Sequence, residues 1–382
     1  MMYIGCMTGT SADKYADFTA ATFDPQGMPV TIQNQAIETP AQLLHHLQHI
    51  SHHAVHPKER RTIERQFTDF LSDAYRTVIK AWRLSGPIIL SPHGQTLSHQ
   101  PLANPPYCDV LIDATRLAQA LDLPVVTAHR QTCLPVSMAA PLAPVLIRQL
   151  FYSDQEHTVL LNGGGIANIC ILPKDKQEPI IGYDTGPGNA PLDILIQYLL
   201  KNHPASIPTD TIRQYAFDYQ GQWARQGNCI PDLKKRLLQH EYFSRPYQQK
   251  SADKAAFGLT WILPYAHHEP WADVLATLTE VIAQSITDAI HTHIDSARVL
   301  TYGGIAHNTY LMEQIQANSS SSFLSMQDSG YDPDFFESLL MAYLGFCVHT
   351  QHPIDLTYCA REGYTRALAI PGYLITPSLA FP

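Results

Sequence analysis

The stretch His157-Thr-Val-Leu-Leu-Asn-Gly-Gly-Gly-Ile-Ala-Asn-Ile-Cys-Ile-Leu172 decides how this chain folds. His157 to Asn162 is an apolar run that reads as a buried strand, Gly163-Gly-Gly165 is a tight turn, and Ile169-Cys-Ile-Leu172 is the paired return strand. The chain opens the same way. Tyr3-Ile-Gly-Cys-Met7 is a short strand, Thr8-Gly-Thr-Ser11 a turn, and Phe18-Thr-Ala-Ala-Thr-Phe23 an apolar return strand closed by the turn Asp24-Pro-Gln-Gly27. Helix–strand units follow in both halves. Ile63, Phe67, Phe70, Leu71, Ala74, Val78 and Trp82 recur at helical spacing and predict an amphipathic helix over about 58–84. Ser85-Gly-Pro87 ends it, and Ile88-Ile-Leu90 follows as a buried strand. Asp109-Val-Leu-Ile-Asp113, a helix at about 114–121 and Val125-Val126 continue the α/β alternation. In the second half, Val274, Leu275, Leu278, Val281, Ile282, Ile286, Ala289 and Ile290 predict a helix at about 271–291. Arg298-Val-Leu-Thr-Tyr302 is then a strand ending in Gly303-Gly304, and Asn318-Ser-Ser-Ser-Ser322 is a solvated loop. The fold class is therefore α/β, built as a doublet that repeats architecture and not residues. Leu134 to Pro144, with three prolines among small residues, is the candidate crossover.

A chain of 382 residues accommodates two domains with ample cores, and 45% hydrophobic residues with 15% charged excludes disorder. The formal net charge of -9 argues against a nucleic-acid or anionic-membrane surface. It does not exclude an anionic ligand, because backbone amides bind phosphate without basic side chains. No apolar run is long enough to span a membrane, and Met1-Met-Tyr-Ile-Gly-Cys6 lacks a basic lead, so no signal peptide is expected. The seven cysteines are scattered without a Cys-x-x-Cys pair, which points to a reduced cytoplasmic protein. Two excesses stand out, 28 prolines and 19 histidines. The pairs His45-His46, His52-His53 and His267-His268 have no third ligand at suitable spacing, so no protein metal site is expected.

Four glycine clusters follow strands: Gly9-Thr-Ser11, Gly163-Gly-Gly165, Gly186-Pro-Gly188 and Gly303-Gly304. Glycine lets backbone amides approach an anion closely, and each cluster is either a phosphate-holding turn or an ordinary β-turn. None is a Walker loop or a dinucleotide fingerprint. In Gly182-Tyr-Asp-Thr-Gly-Pro-Gly-Asn189, Asp184 stands at the end of a strand beside rigid turn residues. It is read either as a base fixed within reach of a nucleophile or as a residue capping a turn. His93-Gly-Gln-Thr96 is read either as a satisfied turn or as a ligand-facing loop.

Together, Met7–Ser11, His93–Thr96, Leu161–Asn168, Gly182–Asn189 and Gly303-Gly304…Asn308 occur in the order that resembles the anhydro-N-acetylmuramic acid kinase family, over roughly residues 3 to 360. The resemblance implies a two-lobed actin-like (RNase H-like) ATPase fold with ATP in an interdomain cleft. It implies an N-lobe of residues 1–133 with the segment about 350–382, and a C-lobe of 134–349. Gly9, Thr10, Ser11, Ala12, Asp13, Lys14, Tyr15 and Ala16 are the implied first phosphate loop. Asn162, Gly164, Gly165 and Asn168 are the implied second, and Gly303, Gly304 and Asn308 the adenosine-side turn. Asp184 matches the catalytic base. His93, Gln95, Arg130, Gly186, Gly188, Asn189 and Glu337 fall on the substrate side. The implied cofactors are ATP and Mg²⁺, the latter assisted through water by Asp13 or Asp17. In the implied reaction, water attacks the anomeric carbon of 1,6-anhydro-N-acetylmuramic acid and O6 receives the γ-phosphoryl group, giving N-acetylmuramic acid 6-phosphate. Because members of the family pair, a homodimer is expected. Closure about a hinge near 133–144 is the expected motion.

The chain departs from the family pattern in several places. The first loop reads Gly9-Thr-Ser-Ala-Asp-Lys-Tyr-Ala-Asp17, with Lys14 at a usual glycine and one extra residue before Asp17. On the sugar side, Ala128-His-Arg-Gln-Thr-Cys133 keeps only Arg130 of the motif, and Ser137–Pro141 and Ser251–Ala255 also differ. These changes leave two alternatives beside the kinase reading: a paralogue for a different sugar, and a nucleotide- or sugar-binding protein without turnover.

Overall fold

The computed structural model describes residues 1–8, 14–266 and 268–377, without the side chains of His52 and Lys254. Two compact units form, one from Met1–Leu150 and Asp334–Pro382, the other from Phe151–Pro333.

The first unit is built on strands β1 (Met2–Met7), β2 (Tyr15–Phe23), β3 (Pro29–Glu38), β4 (Ile88–Pro92) and β5 (Val125–Thr127). Their spatial order is β5-β4-β1-β2-β3, with Tyr373–Ile375 added beyond β5. β1, β2 and β3 form an antiparallel meander, whereas β4 and β5 run parallel to β1. Ile4 pairs with Ala20 on one side and Leu90 on the other, and all three are buried. The helix Pro57–Ala81 turns Ile63, Phe67, Leu71, Tyr75 and Val78 toward the same core as Ile4 and Leu90, at the spacing of one helical face. Full burial of each such side chain stabilises by about 1.5–3 kcal/mol. The helix Phe336–His349 packs so closely on β1 that a Cβ at Gly5 would strike the Ser338 carbonyl and the Ala342 amide.

The second unit repeats this plan. Strands β6 (Thr158–Gly163), β7 (Ile166–Leu172), β8 (Ile181–Pro187), β9 (Arg298–Tyr302) and β10 (Ser322–Ser325) lie in the order β8-β7-β6-β9-β10. Again the first three strands form an antiparallel meander and the last two run parallel to the first. The helix Trp271–His291 is the centre of this core, with Val274, Leu278, Val281, Ile282 and Ile286 fully buried. Five strands in one order, used twice, are the α/β arrangement of the actin-like (RNase H-like) fold.

Several expectations shift. The 58–84 helix runs Pro57–Ala81, ending before Arg83, which adopts φ 52°. The Asp109–Asp113 segment does not join the main sheet; Tyr107–Leu111 pairs with Gln95–Gln100 as a separate two-stranded ribbon. Ser322 begins an edge strand and is not loop. The units divide at Leu150/Phe151 and Pro333/Asp334, so the 134–144 segment lies inside the first unit. Helix Phe336–His349 belongs there too, because its apolar residues pack on β1, β2 and β4.

Candidate functional site

β6 and β7 are joined at Gly164 and Gly165, where the Gly164 amide donates to the Ile166 carbonyl at 3.0 Å. The turn is fastened to the Gly-Pro-Gly segment, since the amides of Gly188 and Asn189 donate to the carbonyls of Gly165 and Gly164 at 2.8 Å each. A Cβ on Gly188 would stand 2.5 Å from the Gly164 carbonyl oxygen, so only glycine fits. The register sets Asn168 opposite both Asn162 and Asp184. Directly opposed residues of an antiparallel pair share a face, so these three side chains form one polar row across β6, β7 and β8.

The ladder shifts register between Asp184 and Gly186, a bulge of the kind that re-aims a side chain. Asp184 is half-buried. Its Oδ2 accepts the Ala252 amide at 2.8 Å, and its backbone carbonyl accepts the Tyr242 hydroxyl at 2.6 Å. Burial raises its pKa above the ordinary carboxylate value, while the Ala252 amide opposes that rise. A carboxylate fixed in pose with heightened proton affinity is suited to general-base work. Neighbouring Thr185 is structural, its hydroxyl donating to the Ala167 carbonyl at 3.2 Å. Gly186 adopts φ +145° with Phe243 and Ser285 beside it.

A cavity of about 600 Å³ lies in the same unit, lined by Asn189, Asp193, Phe217, Tyr219, Gln220, Gly304 and Asn308 among others. Asn308 donates through Nδ2 to Asn189 Oδ1 at 3.2 Å and caps the helix Thr309–Ala317 by accepting the Leu311 amide at 3.2 Å. Gly303 adopts φ +76°, and a Cβ there would lie 2.5 Å from Asn162 Oδ1. Tyr215, Phe217 and Tyr219 are exposed and cluster, with Tyr215 centroids 5.7 Å from both partners. Buried Asp218 anchors the segment by accepting the Trp223 and Ala224 amides at 2.8 and 2.9 Å. Exposed aromatic faces beside a polar cavity suit a flat heterocycle. Burial pushes the Asp193 carboxyl up to about 6. Asp193, Phe217, Tyr219 and Gln220 escaped the sequence reading; the alternation Tyr215-Ala-Phe-Asp-Tyr219 was the available signal.

In the first unit, a cavity of about 350 Å³ brings together His93, Arg130 and Glu337, with Met7, Leu340, Met341 and the Ala140–Ala143 wall. Arg130 donates from Nη1 to the Ala139 carbonyl at 2.9 Å and from Nε to His93 Nε2 at 3.4 Å. His93 Nδ1 faces the Gly94 carbonyl at 2.8 Å, so that nitrogen carries the proton and Nε2 accepts. Burial first, then Arg130 and His129, push His93 down to about 3. Glu337 stands in the first turn of helix Phe336–His349.

The remaining expected residues are placed as follows. Gly9, Thr10, Ser11, Ala12 and Asp13 lie outside the described residues. The Lys14 ammonium pairs with Glu38 at 3.3 Å. Tyr15 and Ala16 begin β2, with the Ala16 side chain in the core. Asp17 lies opposite Met7 across the same ladder. Gln95 is fully buried in the ribbon and does not line the first-unit cavity. Asn189, expected on the sugar side, lines the second-unit cavity with Gly304 and Asn308. Among the described residues, no group of three or more His, Cys, Asp or Glu is placed to hold a metal ion, and no helix is long and apolar enough to cross a membrane.

The strand order used in both units defines an actin-like α/β protein, and its second unit sets a carboxylate at a bulge beside a glycine turn. The anhydro-N-acetylmuramic acid kinase family model matches residues 1–364, and the chain belongs to that family. The anhydro-N-acetylmuramic acid kinase of Idiomarina loihiensis is 31% identical over 365 residues, covering 92% of this chain and 93% of its own. That of Aliivibrio fischeri is 35% identical over 258 residues, 66% of each chain. Among solved structures, the activator of the 2-hydroxyisocaproyl-CoA dehydratase from Clostridium difficile with bound ADPNP covers 92% of this chain and 96% of its own at TM-score 0.41 and 10% identity. The family assignment rests on the sequence relatives.

Proposed function

We propose that this protein is an ATP-dependent kinase that opens 1,6-anhydro-N-acetylmuramic acid with water and phosphorylates O6, giving N-acetylmuramic acid 6-phosphate and ADP. The observation that carries the reading is Asp184, set at a bulge, oriented by the Ala252 amide and given raised proton affinity by burial. With Oδ2 held, Oδ1 takes a proton from the attacking water as its oxygen bonds to the anomeric carbon. The C1–O6 bond breaks, O6 takes the γ-phosphoryl group, and Asp184 later releases its proton to solvent. Phosphoryl transfer depends on positioning and charge neutralisation more than on covalent chemistry from the protein. The Gly164–Gly165 turn serves the phosphates, and the cavity beside Gly304 and Asn308 takes the nucleoside. Arg130 and Glu337 serve the sugar, Arg130 as a fixed cation for its lactyl carboxylate.

The side-chain carbonyl oxygens of Asn162 and Asn168, in the row beside Asp184, are hard donors of the kind that suits Mg²⁺. Magnesium typically arrives with nucleotide phosphates and neutralises their charge, so no all-protein cage is required. Seven free thiols suit the reducing cytoplasm in which we place the protein.

The test incubates purified protein with ATP, Mg²⁺ and the anhydro sugar, beside an active control enzyme. A product heavier by the elements of water and a phosphoryl group is expected; its absence removes the proposal. The apolar wall Ala140–Ala143 favours a second reading, another anhydro or amino sugar, which a substrate panel separates from the first.

A further inference from the structure

The segment from Glu241 to Ala252 grips Asp184 at two points, through the Tyr242 hydroxyl on its backbone carbonyl at 2.6 Å and the Ala252 amide on Oδ2 at 2.8 Å. Tyr242 is only 2% exposed. Its ring meets Phe243 and Phe257 edge-on, with centroids 6.0 and 5.3 Å away. Arg245 and Lys250 set their cations 5.7 and 5.8 Å from the same ring centroid. A ring so enclosed gives its hydroxyl one position. Burial foremost, then the Asp184 charge, raises the phenol pKa well above its ordinary value, so the hydroxyl remains a donor.

Asp184 stands where the β7–β8 register shifts, and a bulge disrupts the regular ladder that otherwise fixes a strand backbone. We propose that Tyr242 is a positioning residue for Asp184: its hydroxyl pins the backbone of the bulge so that the carboxylate meets the attacking water in one pose. Ala252 sets the carboxylate's rotation and Tyr242 sets where it starts from. Tyr242 itself touches no reacting atom. This inference rests on the function proposed above and adds to it the group that holds the base in place.

The experiment compares wild type, Tyr242→Phe and Phe257→Leu in the anhydro-sugar assay, with melting temperatures for all three. Tyr242→Phe keeps the packed ring and removes only the hydroxyl. Its kcat is expected to fall about tenfold or more, because small misplacements of a reacting group carry large rate penalties. KM for ATP and for the sugar should stay within about twofold, and the acid limb of the pH profile should keep its midpoint, since the Ala252 contact remains. Phe257→Leu disturbs the same cage without removing the hydroxyl and should lose stability while retaining most of kcat. An active wild type with Tyr242→Phe at full kcat overturns the inference alone. Parallel loss of kcat and melting temperature in both variants also overturns it, by showing a merely structural role. A wild type that turns over no anhydro sugar overturns the proposed function, and the inference with it.

Discussion

Arg130 Nε lies 3.4 Å from Nε2 of His93, so a permanent cation donates to a ring that must be neutral to accept. The neighbouring His129 is likewise buried, bonded to the Pro371 carbonyl through Nδ1 at 2.8 Å, and burial pushes it down to about 4. Both histidines have folded pKa values below the ordinary imidazole value of 6.5. A depressed histidine contributes stability above its unfolded pKa and loses it as pH falls toward the folded one. Each ring should therefore remove about 2 kcal/mol of stability between pH 7 and pH 5. Urea unfolding of wild type and His93→Gln at the two pH values checks this: because buried Asp193 gains stability over the same descent, the reading is the difference between the two proteins, and the variant should lose about 2 kcal/mol less than wild type. Equal losses in the two proteins would contradict a buried neutral His93.

Asp184→Asn should lower kcat by about 10²–10⁴-fold, the usual worth of a positioned base. Nucleotide affinity measured by calorimetry should change little, because the Gly164–Gly165 turn and the cavity beside Asn308 do not depend on the carboxylate's charge. The base works deprotonated and its pKa is raised, so wild-type kcat/KM should fall as pH drops through that raised value. A profile flat down to the ordinary aspartate range would show that another group takes the proton.

The doublet was legible because each half announces itself as an apolar run, a glycine turn and a second apolar run. Backbone turns need particular residues, so they leave marks in sequence. An apolar run such as Asp109–Asp113 specifies a strand without naming its partner; only the tertiary fold pairs Tyr107–Leu111 with Gln95–Gln100. His93 stands out in His93–Thr96 and Arg130 and Glu337 by family motif, yet their meeting in one cavity depends on helix Phe336–His349 returning to the first unit. The aromatic cluster at 215–219 carries no mark in sequence, beyond its alternation, that sets it apart. Its residues look like ordinary apolar positions until their exposure is known. Nor could sequence reveal that Asp193 is half-buried and Asp218 amide-bonded, since burial is a property of packing.

That cluster gives a prediction of its own. Base–aromatic stacking is worth about 1–3 kcal/mol per base, so Tyr219→Ala and Phe217→Ala should each raise KM for ATP about fivefold to a hundredfold. The sugar KM and kcat at saturating ATP should be unchanged. Asp193, raised to about 6 by burial, costs stability as pH rises through that value, so Asp193→Asn should raise the melting temperature at pH 7.5 and not at pH 4. Steady-state kinetics and thermal melts at the two pH values decide both points. Unchanged ATP kinetics in the two aromatic variants would place the nucleoside elsewhere.

Two glycines, Gly164 in the second turn and Gly188 in the segment fastened to it, separate folding from function. Alanine at Gly188 would push its Cβ to 2.5 Å from the Gly164 carbonyl and 3.1 Å from the Ile166 carbonyl carbon, both backbone atoms that cannot step aside. Gly188→Ala should therefore cost more than about 1 kcal/mol and loosen the bonds that tie Gly188 and Asn189 to the turn. At Gly164, by contrast, an added Cβ meets nothing within 4 Å, and the backbone has no left-handed requirement. Gly164→Ala should leave the urea midpoint nearly unchanged. Its methyl group would nonetheless occupy the exposed tip of the turn, where amides must come close to phosphate oxygens. The expected outcome is a normal unfolding curve with a raised KM for ATP in Gly164→Ala, and a lowered urea midpoint in Gly188→Ala. A Gly164→Ala protein with wild-type ATP kinetics would remove this turn from the phosphate site, whatever the sugar assay shows.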